Sequence, residues 1–258
     1  MINKQYLKLL RSQQRFIENN FIYKIIAKRI IDSLDLLNID VSAVLEVGIN
    51  ESKISKYIYN KFNNVSIDRA DLCSSKSTIN NKSNFLEINP DNLNFKKNFY
   101  NIIFSNFFIH LTSDFEKSLS NVMDGLKSNG LFIASLPDRE CMYQLFNSMY
   151  ETDLHFYKGA YQRVNPTKDV NDILSILKKL SYDSPSIYTD TISIEYQSFK
   201  KLLNDIKEMN ISYCYKDKRE TFENKKYFKT LENFYREKYF KENYILDIKV
   251  NIISAWKK

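Results

Sequence analysis

Apolar residues recur along the chain with two alternating periodicities. In the first forty residues they return every three or four positions between charged residues, which is typical of an amphipathic helix. From residue 43 onward, short apolar runs of strand length alternate with stretches of helical periodicity. The predicted strands are 43–47, 65–70, 85–88, 100–108, 131–136, 187–196 and 245–256, and the predicted helices between them are 54–62, 115–126 and 170–180.

Strands that alternate with helices predict a parallel sheet covered on both faces. The last two predicted strands are separated by a long insertion at about 197–243 and are expected to form an antiparallel C-terminal edge. The sequence therefore predicts an α/β fold, a Rossmann-like doubly wound sheet of about seven mostly parallel strands. We expect residues 1–40 to form an N-terminal helical cap, residues 41–258 to form one domain, and Asn129-Gly130 to end the helix before the fifth strand.

Composition excludes several classes of protein. Of 258 residues, 43% are hydrophobic and only 4 are Gly and 4 Pro, which rules out collagen-like and loop-dominated chains. No apolar run approaches the roughly 20 residues of a membrane-spanning helix, and the first ten residues carry no pattern of a secretory signal. The 3 cysteines are far apart, so we expect a reducing cytoplasmic location and no disulfide framework.

The formal net charge of +7 raises the question of nucleic-acid binding. Lysine is spread along the whole chain rather than clustered, which indicates a solvated surface and not a phosphate-binding stripe. We therefore expect no nucleic acid as partner. The same charge would help to attract an acidic protein.

Three predicted strands end in residues suited to a nucleoside. Gly48 follows the first strand, where a residue without a side chain allows close approach of a ligand to the backbone. Asp71 ends the second strand, where a carboxylate can accept hydrogen bonds from both ribose hydroxyls, and Asn89 ends the third, where an amide suits an adenine edge. The alternatives are a plain turn at Gly48 and a helix cap at Asp71.

The run Val44-Leu45-Glu46-Val47-Gly48-Ile49-Asn50-Glu51-Ser52 resembles the first motif of class I S-adenosylmethionine-dependent methyltransferases, an apolar strand with an acidic residue before a glycine loop. Residues 99–106 resemble the fourth strand of that family, and residues 119–136, with Leu126-Lys127-Ser128-Asn129-Gly130, resemble its following helix, turn and fifth strand. The resemblance covers roughly residues 40 to 140.

The resemblance implies S-adenosylmethionine as the cofactor. The residues that it places at the cofactor are Glu46, Gly48, Asn50, Asp71, Leu72, Asn89 and Ser105. Glu46 would orient the loop or meet the amino group of the cofactor; the alternative is a strand-end carboxylate that caps backbone amides.

The chain departs from the family pattern at four positions. The second and third glycines of the loop fall at Asn50 and Ser52, and the acidic residues expected at the end of the third strand and before the fourth strand fall at Asn89 and Asn101. Asn50 adopts the left-handed backbone more easily than most residues. The expectation is a cofactor site with weakened affinity, and its loss is the alternative.

A narrower resemblance, on Gln14-Arg15, His110 and the segments after residue 165, points to one branch of that superfamily. The branch holds the malonyl-carrier-protein O-methyltransferase of biotin biosynthesis and the complex I assembly factor that hydroxylates an arginine. It implies an acidic carrier protein or a respiratory-complex subunit as partner. The hypotheses are methyl transfer to a carrier-bound acyl carboxylate, action on a protein arginine in complex I assembly, and a cofactor-free interaction module.

His110, after the fourth predicted strand, is the catalytic candidate, because the resemblance places it at the mouth of the pocket, where it would act as a base or shape the acceptor site. The alternative is a structural histidine. His155 is assigned to a polar connecting segment. The histidines and cysteines show no metal-ligand spacing, so no metal is expected. The aromatic and basic stretch 216–241 is a partner surface, a lid or a helix packed on the core.

Overall fold

The computed structural model describes residues 2–12, 21–49, 53–73, 84–208, 213–219 and 221–258. The described chain forms eight helices and seven strands. In order they are α1 (Lys4–Ser12), α2 (Phe21–Asp35), β1 (Ala43–Val47), α3 (Lys53–Lys61), β2 (Ser66–Asp71), β3 (Phe85–Glu87), β4 (Tyr100–Asn106), α4 (Phe115–Gly125), β5 (Leu126–Pro137), α5 (Tyr143–Tyr157), α6 (Val170–Lys179), β6 (Tyr182–Tyr196), α7 (Phe199–Glu208), α8 (Lys225–Tyr239) and β7 (Tyr244–Lys257).

The seven strands form one sheet in the order β3-β2-β1-β4-β5-β7-β6. The pairs β1–β2, β2–β3, β1–β4 and β4–β5 are parallel, and β7 runs antiparallel to both β5 and β6. The predicted α/β fold with a mostly parallel sheet and an antiparallel C-terminal pair is confirmed. The strand order reverses between β1 and β4, and ligands in such sheets bind beyond the carboxyl ends of the strands at that point.

Alternate residues of the central strands face two helical layers. Ala43, Leu45 and Val47 of β1 pack in a core with residues of α4 and α6, whereas Val44 packs in a second core with α2 and α3. All five residues of β1 are buried, as expected for a strand covered on both faces. Each fully buried aliphatic side chain of this kind contributes about 1.5–3 kcal/mol.

The edge strand β6 alternates between exposed and half-buried residues along most of its length. It pairs with β7 from Tyr182 to Tyr196, so β7 and not β6 is the buried member of the C-terminal pair. A third core lies against these two strands and is built from α2, α5, α7 and α8.

The turn Asn129-Gly130 does not end α4, which corrects the prediction. The helix ends at Gly125, and the amide of Leu126 caps it by donating to the Val122 carbonyl. Asn129 and Gly130 instead lie inside β5, at a bulge where the pairing with β4 shifts register. Asn129 has φ 60°, and a Cβ on Gly130 would lie 2.8 Å from the Lys127 carbonyl oxygen.

The described part of the N-terminal forty residues contains the two helices α1 and α2. Gln14 and Arg15, which carried part of the resemblance, lie outside the described residues. The division into a cap at 1–40 and a domain at 41–258 with an insertion at 197–243 stays a prediction. None of the described helices is both long and apolar enough to span a membrane.

Helix α8, the main part of the stretch 216–241, packs on the core, and none of the described residues of this stretch lines the cavity of about 210 Å³ beyond β4 and β5. The helix buries Tyr227, Leu231 and Tyr235 in the third core, and Phe222 before it is fully exposed. The assignment of His155 to a connecting segment is wrong, because this residue lies on α5. The apolar face of α8 therefore packs against the core.

A buried ion-pair network joins α5 to the segment before α8. The Asp153 carboxylate accepts hydrogen bonds from the Tyr227 hydroxyl at 2.7 Å and from Arg163 Nε at 2.9 Å. Arg163 Nη2 also donates to Glu223 at 2.8 Å. Because the Asp153 side chain is completely buried, these donors are its compensation for lost hydration.

We expect Asp153→Ala to lower the free energy of unfolding by about 3 kcal/mol, because it removes one partner of a buried pair. The measurement is urea denaturation followed by circular dichroism. Lys97→Ala is the control, since Lys97 meets Asp124 at 4.0 Å between two exposed side chains, and its effect should stay within about 0.5 kcal/mol. Equal effects of the two substitutions would contradict the assignment.

Candidate functional site

The end of β1 makes a close contact that only glycine permits. Gly48 has φ +84°, and its amide donates to the Ala70 carbonyl at 2.8 Å. A Cβ at this position would lie 2.1 Å from Cβ of Phe108. In this structure the side chain that approaches the Gly48 backbone is therefore Phe108, in the place where the sequence predicts a ligand.

Asp71 ends β2 with a carboxylate that is only 3% exposed. One oxygen accepts a hydrogen bond from the Ile49 amide at 2.8 Å, and the other from the Leu72 amide at 2.6 Å. These backbone donors fix the carboxylate at the carboxyl ends of β1 and β2. Asp71, Gly48 and Leu72 are thus brought together, as the sequence predicts.

Arg11 of α1 pairs with both oxygens of Asp71. Its Nε donates to Oδ1 at 2.7 Å and its Nη2 to Oδ2 at 2.6 Å, a bidentate geometry. Nη2 also donates to the Ile49 carbonyl at 3.2 Å, and the guanidinium carbon lies 4.5 Å from the centroid of the Phe108 ring. Burial alone would lower the pKa of Arg11, but the charge and hydrogen bonds of Asp71 outweigh it, so this pKa is raised.

Glu46 of β1 forms a second buried ion pair with Arg69, which lies two residues before Asp71 on β2. Its Oε2 accepts from Arg69 Nε at 2.6 Å and from the Ser55 hydroxyl at 3.0 Å. Burial raises the pKa of the Glu46 carboxyl, against the opposing effect of the Arg69 charge. These contacts join β1, β2 and α3.

The remaining predicted cofactor residues are Ser105, Asn89 and Asn50, and the structure describes two of them. Ser105 is fully buried, and its hydroxyl accepts from the Ile109 amide at 3.1 Å, which supports the turn after β4. Asn89 is exposed beyond β3, and its side-chain oxygen accepts from the Asp91 amide at 3.1 Å in an Asx turn. Asn50 lies outside the described residues.

A cavity of about 210 Å³ opens beside this group, beyond the ends of β4 and β5. Its walls come from α1, from the segment after β4, from the segment after β5 and from residues 162–167. The charged residues on its walls are Arg11, Asp138 and Arg139, and most of the others are apolar. Arg11 is therefore shared between the cavity and the buried Asp71.

His110 lies at this cavity and at a smaller neighbouring one. Its ring packs edge-on against Phe107 with centroids 5.9 Å apart. Burial, and then the positive charge of Arg11, lowers the pKa of His110 to about 3. Its Nδ1 is buried and has no hydrogen-bond partner within the described part of the chain, so the residue faces the cavity as a neutral imidazole near pH 7.

Two residues of the site escaped the sequence reasoning. Arg11 belongs to an N-terminal helix of ordinary amphipathic pattern, and its one signal is the spacing of Lys4, Lys8 and Arg11 along one face. Phe108 reads as the last residue of an apolar strand, whereas it turns back onto Gly48. Neither contact has a local sequence signature, because both join segments far apart in the chain.

The carboxylate of Asp71 can accept hydrogen bonds from a nucleoside diol only in place of Arg11. Two adjacent N–H groups of Arg11 reach both oxygens of one carboxylate from the same side, and the two hydroxyls of a ribose present the same pair of donors. Arg11 is the residue that occupies this position in the structure. Within the described residues no group of three or more His, Cys, Asp or Glu is arranged to hold a metal ion.

Residues 45–134 match the family model described as a methyltransferase domain. The arginine hydroxylase NDUFAF5 of Rattus norvegicus, a mitochondrial protein, is 24% identical over 193 residues, 73% of this chain and 56% of that protein. Malonyl-[acyl-carrier protein] O-methyltransferase 1 of Coxiella burnetii is 22% identical over 213 residues, 82% of this chain and 72% of that protein. The chain thus spans about half the length of the rat relative.

A solved structure from Bacillus halodurans C-125 superposes with a TM-score of 0.60 at 11% identity and covers 89% of this chain and 97% of that one. The YcgJ protein of Bacillus subtilis superposes with a TM-score of 0.58 at 12% identity, covering 90% and 97%. At such low identity these likenesses show the fold, which agrees with the order of the seven strands.

The low pKa of His110 predicts a pH-dependent stability. Below about pH 6.5 the unfolded chain binds a proton at this residue, whereas the folded chain does so only near a pKa of about 3. The free energy of unfolding therefore falls as the pH falls between these values, and His110 accounts for about 2 kcal/mol of loss between pH 7.5 and 5.0.

We expect His110→Asn to remove that part of the pH dependence, measured by urea denaturation at both pH values. His155→Asn, at an exposed position of α5, is the matched control and should keep the full wild-type difference. An unchanged pH dependence in His110→Asn would show that this histidine is not held neutral in the folded chain.

Proposed function

We propose that this chain, which belongs to the class I S-adenosylmethionine-dependent methyltransferase superfamily, methylates an acyl carboxylate carried by an acidic carrier protein. The observation that supports it most is the buried strand-end carboxylate of Asp71 beside a cavity of about 210 Å³. In this fold the strand ends carry the nucleoside, and the adjoining cavity takes the second substrate. Arg11 touches both places.

The residues that would hold the cofactor are those at the ends of β1 and β2. Asp71 would accept the ribose hydroxyls in place of Arg11, and Glu46 with Arg69 and Ser55 would hold the end of β1 against α3. The Gly48 backbone would contact the amino-acid part once Phe108 has moved away from it. When bound, the cofactor supplies an electrophilic methyl group on sulfur. The chain contributes position and the exclusion of water.

The acceptor cavity suits a group that needs no proton removed. His110 is neutral and, with a pKa of about 3, a weak base. A carboxylate is already ionised at pH 7, so positioning against the methyl group supplies most of the acceleration. The imidazole and the apolar walls would orient the acyl end and keep bulk water away.

A second cavity of about 220 Å³ adjoins the first and shares the side chains of Phe146 and Gln162 with it. Arg163, Lys218 and Arg219 border this second cavity. An extended thioester arm would pass along the two cavities while the acidic body of a carrier meets Lys218, since Arg163 and Arg219 are already paired with Glu223. The net charge of +7 favours the same encounter, and the free cysteines favour a reducing cytoplasm.

Two other functions have a specific observation in their favour. The similarity to the rat arginine hydroxylase favours action on a protein arginine, in complex I assembly. The occupation of the strand-end site by Arg11 and Phe108 favours an interaction module without cofactor. The next two measurements separate these functions from methyl transfer.

We expect isothermal titration to show micromolar binding of S-adenosylmethionine and S-adenosylhomocysteine, about −8 kcal/mol. Asp71→Asn should weaken both by at least about tenfold, because the amide accepts one ribose hydrogen bond in place of two. Asp68→Asn is the matched control on the same buried strand, since the Asp68 carboxylate accepts hydrogen bonds from the Tyr100 hydroxyl and the Asn84 amide, away from the site. A folded wild type without heat or thermal shift at millimolar ligand would favour the interaction module.

We expect labelled methyl groups from S-adenosylmethionine to appear on a malonyl-loaded carrier protein as a base-labile ester. An arginine-containing complex I subunit in the same assay should acquire neither label nor oxygen. Asp71→Asn is the negative control and should slow transfer to the carrier by at least about tenfold. Intact cofactor binding with no labelled carrier would contradict the proposal that the acceptor is a carboxylate. Oxygen on the arginine would favour action on a protein arginine.

A further inference from the structure

Helix α1 covers the ends of β2 and β3 with three cations from one face. Lys8 meets Glu87 at 2.6 Å through side chains that are 51% and 64% exposed, and Lys4 meets Asp91 at 3.2 Å through side chains that are 44% and 22% exposed. Arg11 reaches Asp71 at 2.6 Å with both side chains 4% exposed. These two pairs are solvated in part and contribute less than a buried one, so the buried pair is the main polar attachment of this face.

Arg11 and a ribose diol require the same atoms. The guanidinium donates to Oδ1 and Oδ2 of Asp71 from the space beside Phe108, and the two amides of Ile49 and Leu72 already occupy the other accepting directions of this carboxylate. Both ligands cannot bind Asp71 at once in the bidentate mode. The two are therefore competitors for one position.

We propose that Arg11 is an exchange residue: it closes the nucleoside site by binding Asp71, yields Asp71 to the ribose, and then pairs with a carboxylate in the adjoining cavity. This inference rests on the proposed function, because it assumes that a nucleoside cofactor binds at Asp71. It adds a positioning and specificity residue that lies on α1, outside the segment matched by the methyltransferase-domain model.

The displaced guanidinium needs a new anion. A buried charge that loses its partner is strongly unfavourable unless another group compensates it. Arg11 already lines the cavity of about 210 Å³, so a rotation of its side chain carries the charge there. The acidic residue on the cavity walls, Asp138, is held by Asn251 at 2.9 Å and Lys249 at 3.7 Å.

A carboxylate from outside the chain therefore fits this position. It has two sources: the amino-acid carboxylate of the cofactor, or the carboxylate of the acceptor. Both present two oxygens to one guanidinium, which is the geometry that Arg11 now makes with Asp71. The same charge exchange explains how a closed site would open without exposing an unpaired ion.

The test uses 5′-methylthioadenosine, which keeps the adenosine of the cofactor and lacks its carboxylate. Isothermal titration of Arg11→Gln should give a dissociation constant at least about tenfold lower than that of the wild type. The reason is that the wild-type site is open in about 10% of molecules or fewer, which weakens its apparent affinity by that factor. Arg11→Lys keeps the positive charge but loses the bidentate guanidinium, so its dissociation constant should lie between those of the wild type and Arg11→Gln. Lys8→Gln is the matched control on α1 and should stay within about twofold of wild type.

S-adenosylhomocysteine distinguishes the two carboxylates. If the cofactor supplies the carboxylate, Arg11→Gln improves 5′-methylthioadenosine binding but leaves S-adenosylhomocysteine binding unchanged or weaker. If the acceptor supplies it, both nucleosides gain equally, and malonyl-pantetheine binds the S-adenosylhomocysteine complex at least about tenfold more weakly than in wild type. Either result supports the exchange.

An unchanged or weaker affinity of Arg11→Gln and Arg11→Lys for 5′-methylthioadenosine, with wild-type binding intact, overturns the exchange and leaves the proposed function standing. Circular dichroism and thermal unfolding identify a variant that has not folded, and the Arg11→Lys protein then decides. If neither wild type nor any variant binds either nucleoside at millimolar concentration, the proposed function fails and the exchange fails with it.

Discussion

The buried carboxylate of Asp71 is the constraint from which the architecture of the site follows. A charge at the end of a buried strand is stable only when donors surround it. Two backbone amides and the guanidinium of Arg11 supply them, so β1, β2 and α1 meet at one carboxylate. This ion pair and the buried side chain of Leu7 together hold α1 over the strand ends.

The site has a closed part, which Arg11 and Phe108 fill, and an open part, which is the cavity. This division follows from the order of the strands. Parallel strands end at one edge of the sheet, and the order reverses between β1 and β4. On the β1–β2 side of the reversal, Arg11 and Phe108 fill the space; on the β4–β5 side the walls stand apart and leave the cavity. His110 lies on the open side, and the charge of Arg11 contributes to keeping it neutral.

The sequence predicted the fold well because the fold rests on local periodicity. The core strands β1, β4 and β5 follow short apolar runs and the helices α3, α4 and α6 follow a three- to four-residue periodicity, and Asp71 was predicted as the residue that ends the second strand. The bulge at Asn129 and the burial of Arg11 rest on contacts between distant segments, which no local pattern encodes. Helix α5 was missed because its apolar and polar residues alternate less clearly along the chain.

The tight contact of Gly48 with Phe108 requires a glycine at the end of β1. A Cβ at Gly48 would overlap the Phe108 side chain, so this glycine is needed even in the closed arrangement. Packing alone therefore accounts for a glycine at this position, which is no evidence for cofactor binding. Asp71 is different in kind, since an apolar residue at the end of β2 would dispense with both the buried carboxylate and its arginine. A paired charge kept at this strand end is therefore the stronger physical argument for a site that opens to a ligand.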